Sequence, residues 1–303
     1  MKFVLDADQR DFAASLEALL AASDTPATAR AWADGDHAPG LKLWTRLAEQ
    51  GVLSLATEAT PVELCIAFEA LGRYAVPGPW VESAAYLPIV LGREIEGVAT
   101  VALPPHVPYA LDADVADQVY VGSTLTTDVG ELVGSVDRTR RLFRIGGVET
   151  APGAPSSTTD DAFDLAVLAT SAQLLGAGER VLADSVAYVK QRRQFGREIG
   201  SYQAIKHALA DVRIALDFAR PLVLGAALGA IDVSAAKVAA ADAAYLASRT
   251  GLQVHGAIGY TAEFDLSLWL TKIRALVTAW GSPAFHRARI LDSLVAPVET
   301  GAS

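Results

Sequence analysis

The sequence is poor in cysteine and in long hydrophobic runs. Its 303 residues include one cysteine, Cys65, which excludes an internal disulfide bond and a zinc site built from cysteines. No apolar stretch free of charged residues reaches membrane-spanning length, and the first twelve residues lack the apolar core of a signal peptide. We therefore expect a cytoplasmic protein that does not span a membrane.

Positive charge is also scarce. Lysine and arginine number 25 against 35 acidic residues, which gives a formal net charge of −10. This balance argues against bulk binding to nucleic acid or to an anionic membrane surface. Hydrophobic residues nevertheless make up 51% of the chain. An apolar, alanine-rich chain without membrane segments indicates an extensive subunit interface.

The distribution of apolar residues predicts an α+β protein with three parts. Residues 1–94 carry the spacings of three and four that are typical of amphipathic helices. Residues 95–160 contain short β-rich runs separated by Pro, Asp and Gly, which predict a small β-domain, and "ETAPGAPSSTTDD" at 149–161 predicts a linker. Residues 161–303 predict a four-helix bundle, in which Pro221 should kink or interrupt the second helix.

Two polar segments lie between helices of the predicted bundle. "VKQRRQFGREIGSYQAIKHALADV" (189–212) places arginines, a glutamine and a glycine between two helices, where guanidinium groups and the amides of the next helix start could hold an anion. The alternative is a solvated charged turn. In "LQVHGAIGYTAEFD" (252–265), Gly256 and Gly259 predict a tight turn that a ligand could approach. There the alternative for Gln253 is a helix-capping side chain.

These two segments together resemble the acyl-CoA dehydrogenase family. "RRQFG" followed by "YQAIKHALADV" is similar to the family's R-x-x-F-G and F-Q-x-x-x-x-x-L-A-D pattern, and "QVHGAIGYTAEFD" to its Q-x-x-G-G-x-G-[YF]-x-x-E turn. Two further segments, 69–83 and 135–145, resemble the end of the family's N-terminal helical domain and a strand of its middle domain. The resemblance implies an N-terminal α-domain, a middle β-domain and a C-terminal four-helix bundle.

The resemblance also implies an FAD site shared between two subunits. In the family, the N-terminal and middle domains of one subunit hold the flavin ring, and the bundle of its neighbour holds the pyrophosphate and adenosine. Arg192 would then pair with the pyrophosphate and Phe195 would pack near the adenosine. The matching cofactor-binding positions of this chain are Arg192, Gln194, Phe195, Gln203, Gln253, Gly256 and Ala257, where Ala257 replaces the second glycine of the family turn.

Departures from the family pattern affect the flavin ring and the catalytic base. Between 95 and 160 there is no T-E-P-x-x-G-S-D-like loop, so the chain keeps the half-site that reaches a neighbour's flavin and lacks its own ring site. The family's base is a glutamate at one of two positions, which correspond here to Trp280 and Ala166, with Asp164 two residues from the second. We expect no catalytic residue in this chain, and we expect the Trp280 indole to fill the vacated acyl pocket.

The chain thus resembles the small, non-catalytic β-type subunit of an actinobacterial α2β2 acyl-CoA dehydrogenase. A larger catalytic subunit would hold the acyl-CoA and supply the base, and the substrate class implied by the resemblance is a steroid-derived CoA thioester. Two alternatives remain open. One is a homo-oligomeric dehydrogenase with an atypical base such as Asp164, and the other is a scaffold subunit that has lost the cofactor.

Overall fold

A computed structural model describes residues 3–146 and 157–295. Along the chain it shows helices, then strands, then helices, as the sequence predicts. Most of the predicted linker at 149–161 and the last eight residues of the predicted bundle lie outside the described residues. Within the described part of the chain, no helix combines the length and apolarity that crossing a bilayer requires.

The N-terminal helices begin at residues that cap them. Asp6 accepts a hydrogen bond from the Gln9 amide at the start of the first helix. The fifth helix follows a Thr60 N-cap, with Pro61 in the first helical position, where proline lacks a donor that the helix does not need. The helices are α1 (Ala7–Ala21), α2 (Thr25–Ala33), α3 (Ala38–Glu49), α4 (Leu55–Glu58), α5 (Pro61–Arg73) and α6 (Leu87–Leu91). A π-helical turn, Glu82–Tyr86, leads directly into α6.

The β-domain consists of two small three-stranded sheets. In the first sheet, of order β1-β3-β4, the pair β1–β3 is parallel, whereas the second sheet, β2-β6-β5, is antiparallel. Three β-rich runs of this part of the sequence, "GVATVAL", "DQVYVG" and "RLFRIGG", contain β1, β3 and β6. The strands are β1 (Ala99–Ala102), β2 (Ala110–Leu111), β3 (Gln118–Val121), β4 (Thr124–Thr126), β5 (Val129–Val133) and β6 (Leu142–Ile145).

The C-terminal part contains three long helices and two shorter ones. Contrary to expectation, Pro221 does not interrupt its helix, because buried side chains on both sides of it, including Leu216 and Val223, keep the helix packed. A fifth helix, which the sequence analysis did not predict, packs on the third. The helices are α7 (Ser157–Gln191), α8 (Gln203–Ala227), α9 (Val233–His255), α10 (Leu266–Leu276) and α11 (Pro283–Val295).

Helices α5 and α7 touch through their backbones at two glycines. A Cβ on Gly72 would lie 2.0 Å from the Gln173 carbonyl oxygen, and a Cβ on Gly176 would lie 1.9 Å from that of Glu69. Side chains from two other helices converge on the same end of α5. Arg220 of α8 forms an ion pair with Glu69 at 2.8 Å, and the Trp269 indole of α10 donates to the carbonyls at the end of α5.

Because of this contact, the N-terminal helices and the bundle share one hydrophobic core, which also includes Val101 and Tyr120 of the β-domain. A second, small cluster lies between the sheets, around Phe143 and Ile145. The Trp32 indole donates to the buried Asp112 carboxyl at 3.0 Å and so links α2 to the β-domain. The division of the chain at residues 94 and 160 remains a prediction.

We expect Gly176→Ala to lower the free energy of unfolding by about 1–3 kcal/mol, the usual cost of overpacking. Alanine is a better helix former than glycine by about 1 kcal/mol. A loss of stability would therefore show that the clash between α5 and α7 outweighs this gain in helix propensity. The measurement is urea denaturation followed by circular dichroism. Gly134→Ala is the control, because no atom lies within 4 Å of a Cβ placed there. Unchanged or increased stability of Gly176→Ala would contradict the glycine contact.

Candidate functional site

A two-stranded hairpin with an exposed aromatic tip joins α7 to α8. Its strands, β7 (Arg193–Gln194) and β8 (Arg197–Glu198), are antiparallel. The turn residues Phe195 and Gly196 have φ angles of 52° and 82°, as in the type I′ turns that favour Asn-Gly. Phe195 is 91% exposed, although a left-handed conformation costs a non-glycine residue about 1–2 kcal/mol. An exposed aromatic ring on a strained backbone turn is a candidate contact for a ligand or partner.

Arg192 lies at the base of this hairpin and its side chain is free. The Arg192 amide donates to the Tyr188 carbonyl at 2.9 Å, and the Ile199 amide donates to the Arg192 carbonyl at 2.8 Å. Arg197, by contrast, lies 3.8 Å above the Tyr202 ring. Among the residues that the structure describes, none forms an ion pair or hydrogen bond with the exposed Arg192 guanidinium. Hydrogen bonds therefore fix the Arg192 backbone, while its guanidinium group remains available to a ligand.

The start of α8 lies next to the hairpin. Gln203 is its first residue, and the preceding Tyr202 makes no side-chain cap hydrogen bond. The first amides of α8 therefore lack the cap that satisfies such donors in many helices. Gln194 and Gln203 are both exposed. Free amides and a nearby cation are the elements of an anion site at a helix start.

The second candidate segment follows α9 directly. Gly256 has φ 63° and ψ −140°, a conformation open almost only to glycine. No atom lies within 4 Å of a Cβ placed on it, so its backbone faces open space. Gln253 and Ala257 are exposed as well.

Close packing of α7 and α9 brings the two segments to the same end of the bundle. The His255 ring stacks on the Tyr188 ring with centroids 4.2 Å apart. Its Nδ1 donates to the Gly251 carbonyl at 2.7 Å, and burial lowers its pKa. These contacts give His255 a structural role. The Tyr188 carbonyl also accepts a hydrogen bond from the Arg192 amide. Tyr188 therefore contacts both the hairpin segment and the segment that follows α9.

Neither family position for the catalytic base carries a carboxylate. Ala166 and Trp280 are both buried. Asp164 forms an ion pair with Arg289 at 2.7 Å. A carboxylate held by an arginine is a weak candidate for a general base, because the arginine stabilises its charged form.

A cavity of about 550 Å³ lies beside Trp280. The indole is 1% exposed and packs against Tyr86 and Phe163, with ring centroids 5.0 and 5.9 Å away. The indole forms part of the wall of the cavity, and the expectation that it fills the vacated acyl pocket stays a prediction. Other residues lining the cavity include Glu82, His106, Leu111, Arg140, Leu142 and Arg274.

Glu82 is the polar residue that the sequence analysis missed. It lies in the π-helical turn and is 1% exposed. Burial raises the pKa of its carboxyl, and the charge of Arg140 and a hydrogen bond with the Trp280 side chain oppose this shift. A single acidic residue within the apolar run "PWVESAAYLPIVL" was the available signal, since π-helical turns often occur at functional sites.

Sequence comparison identifies relatives of the whole chain. Residues 158–295 match the family described as "Acyl-CoA dehydrogenase, C-terminal domain". The chain is 31% identical over 296 residues to the acyl-CoA dehydrogenase IpdE2 of Mycobacterium tuberculosis, an alignment that covers 89% of this chain and 92% of that protein.

Solved structures share the fold. One chain of the ChsE4-ChsE5 complex from M. tuberculosis superposes with a TM-score of 0.81 at 21% identity, covering 98% of this chain and all of that one. A chain of the Tcur3481-Tcur3483 steroid ACAD gives a TM-score of 0.78 at 18% identity, covering 95% and 97%.

The chain belongs to the acyl-CoA dehydrogenase family. The family comprises flavin-dependent oxidoreductases, and the match in overall fold confirms the predicted architecture. The described residues contain no cluster of three or more His, Cys, Asp or Glu side chains that could hold a metal ion. FAD is the cofactor that the chemistry of the family indicates.

We expect Phe195→Asn to leave the stability of the protein unchanged or to raise it by about 1 kcal/mol, because asparagine relieves the strain of the left-handed turn. Thermal denaturation followed by circular dichroism measures this effect. Phe195→Ala, which keeps the strain and removes the ring, is the control. If Phe195→Asn lowers stability by more than about 1 kcal/mol, the ring packs within the chain and is not held out for another molecule.

Proposed function

We propose that this chain is the small subunit of a heteromeric acyl-CoA dehydrogenase, and that it closes the pyrophosphate and adenosine end of an FAD bound by a larger catalytic subunit. The complex would be an α2β2 heterotetramer that removes the α- and β-hydrogens of a steroid-derived CoA thioester. In this proposal the present chain binds cofactor and supplies no base.

The observation that carries the proposal is the separation of the two candidate sites along α7. Phe163, which contacts Trp280 at the cavity, lies near the start of this helix, and Arg192 immediately follows its end. At 1.5 Å per residue the intervening helix measures about 40 Å, longer than an extended FAD molecule. None of the seven cofactor residues lines the cavity. One FAD cannot span both sites of the same chain, which supports a second chain that encloses a cofactor held at Arg192.

The residues at the hairpin fit the phosphate end of a dinucleotide. The free Arg192 guanidinium can form two parallel hydrogen bonds with phosphate oxygens, and the start of α8 offers amides and a favourable dipole. The open backbone at Gly256 and the side-chain amides of Gln203 and Gln253 can hydrogen-bond polar groups of the ribose or adenine. Phe195 offers an apolar ring to a base. When bound, FAD would accept the substrate hydride.

Catalysis would fall to the partner, since this chain has Ala166 and Trp280 at the family's base positions and holds Asp164 in an ion pair. The two-component composition named for the ChsE4-ChsE5 and Tcur3481-Tcur3483 structures supports a partner of the same family. The steroid named for the second of these supports the substrate class.

We expect the chain expressed alone to lack flavin, because its residues cover one end of the cofactor. Co-expression with the family member that co-purifies with it from the native host should give a yellow complex with two flavins per four chains. Absorbance near 450 nm and protein mass measure this ratio. Stoichiometric flavin and turnover in the lone chain would support the homo-oligomeric alternative, and no flavin in any pairing would support a scaffold.

Arg192→Ala should weaken flavin retention by the complex about tenfold to a hundredfold, because a hydrogen bond to a charged group contributes roughly 1.5–3 kcal/mol. Arg192→Lys should recover part of this loss, since an ammonium cannot span two phosphate oxygens. Flavin dissociation is followed by fluorescence. Arg193→Ala is the matched control, because Arg193 reaches the Gly196 carbonyl within its own hairpin. Equal flavin retention in Arg192→Ala and Arg193→Ala would show that the turn is a solvated connection and does not bind the cofactor.

A further inference from the structure

The cavity beside Trp280 has features of a ligand site that are independent of the cofactor residues. It lies between the β-domain and the helices. Its walls come from the π-helical turn, the loop 105–109, strands β2 and β6 of the second sheet, residues of the segment 134–140 and the end of α10. Its volume of about 550 Å³ falls in the range of small-molecule pockets, about 300–1,000 Å³. Apolar side chains dominate the walls, including Val107, Leu111 and Leu142.

Glu82 is incompletely satisfied in this wall. Its Oε2 atom is buried and forms no hydrogen bond with any described residue. Burying such a group without a partner is costly, because it loses its hydrogen bonds to water. Burial also raises the pKa of this carboxyl. The wall of the cavity therefore contains a carboxyl oxygen without a hydrogen-bond partner among the described residues.

Arg140 is a second group without a partner among the described residues. The other two arginines of "DRTRR" each form an ion pair. Arg138 forms an ion pair with Asp34 at 2.7 Å, and Arg141 forms one with Asp114 at 2.5 Å. Arg140, between them, lines the cavity and makes no side-chain hydrogen bond or ion pair with any described residue. Its charge acts on Glu82 through space, although no ion pair joins them.

The other buried ionisable groups near Arg140 already have partners. Lys237 donates to the Leu276 and Ala279 carbonyls at 2.7 and 2.9 Å. Lys272 lies 3.6 Å from Asp137. Arg140 and Glu82 both line the cavity, and each has polar atoms without a partner among the described residues.

We propose that this cavity binds a small organic acid with an apolar body, whose carboxylate accepts hydrogen bonds from Arg140 and Glu82. A free carboxylate fits both groups, because it accepts from the guanidinium with one oxygen and from the protonated acid with the other. The apolar body occupies the space between Val107, Leu111 and Leu142. The ligand carries no CoA and needs no flavin, so the inference stands apart from the proposed function.

The experiment compares acids with their neutral amides. Isothermal titration calorimetry measures binding of hexanoate, cyclohexanecarboxylate and 2-naphthoate, and of the three corresponding carboxamides, to the full-length protein as purified. At least one acid should bind about tenfold more tightly than its amide. Arg140→Met should lower the affinity for that acid about tenfold to a hundredfold and leave that for the amide unchanged.

Two further variants separate ligand binding from a loss of structure. Glu82→Gln keeps a donor and should reduce acid binding only a few-fold, whereas Glu82→Met removes the donor and should reduce it further. Arg138→Met is the matched control, because its ion pair lies outside the cavity, and it should bind like the parent protein. Thermal denaturation confirms that each variant folds.

Three results would overturn the inference. They are the absence of binding by all three acids, equal affinity for acids and amides, and equal effects of Arg140→Met and Arg138→Met. Binding of octanoyl-CoA with the same dependence on Arg140, but of none of the free acids, would also overturn it and would instead make the cavity an acyl site.

Discussion

The close approach of α5 and α7 at Gly72 and Gly176 is the constraint on which the rest of the structure depends. With no side chain between them, α5 and α7 approach until backbone meets backbone, and the end of α5 becomes the point where α8 and α10 are also anchored. The Glu69 carboxylate binds Arg220, which also binds Glu179 of α7. This network fixes the direction of the 35-residue α7 relative to the N-terminal helices.

A rigid α7 separates two chemical environments. Near its first residues, aromatic rings and the β-domain enclose a cavity that contains a buried acid and an unpaired arginine. Beyond its last residues, polar side chains and open backbone face outward without an enclosing wall. In the proposed two-subunit enzyme, the outward end would cover a cofactor that another chain holds, while the enclosed end would be free to bind a different ligand.

The local structure of the outward end could be predicted from the sequence, because its residues are close together in the chain. Arg192, Gln194 and Phe195 fall within four residues shortly before α8, and spacing alone places them in one turn. The three strand segments and the capped helix starts at Asp6 and Thr60 are predictable for the same reason, since each depends on local hydrogen bonds. Gln253 and Gly256 required the family resemblance, because only the packing of His255 on Tyr188 brings them to the same end of the bundle.

The enclosed end depends on contacts between distant segments and could not be predicted from local pattern. Glu82 is buried by residues nearly 200 positions away, including Trp280. The volume of the Trp280 side chain could be judged from the sequence, but its contacts with Tyr86 and Phe163 could not. Pro221 likewise breaks a helix only when tertiary packing is weaker than the local cost, and here the buried face of α8 prevails.

The shared core has a consequence for how the molecule unfolds. Helices from residues 7 to 91 and from 157 to 276 contribute to one hydrophobic cluster, whereas six residues between the two sheets form a cluster of their own. Cooperative unfolding units tend to follow such clusters. The helical parts should therefore lose their amide protection together, as a single unit made of two sequence segments. We expect the second sheet to open separately. Because β2 and β6 line the cavity, such opening would expose the cavity while the helices stay folded.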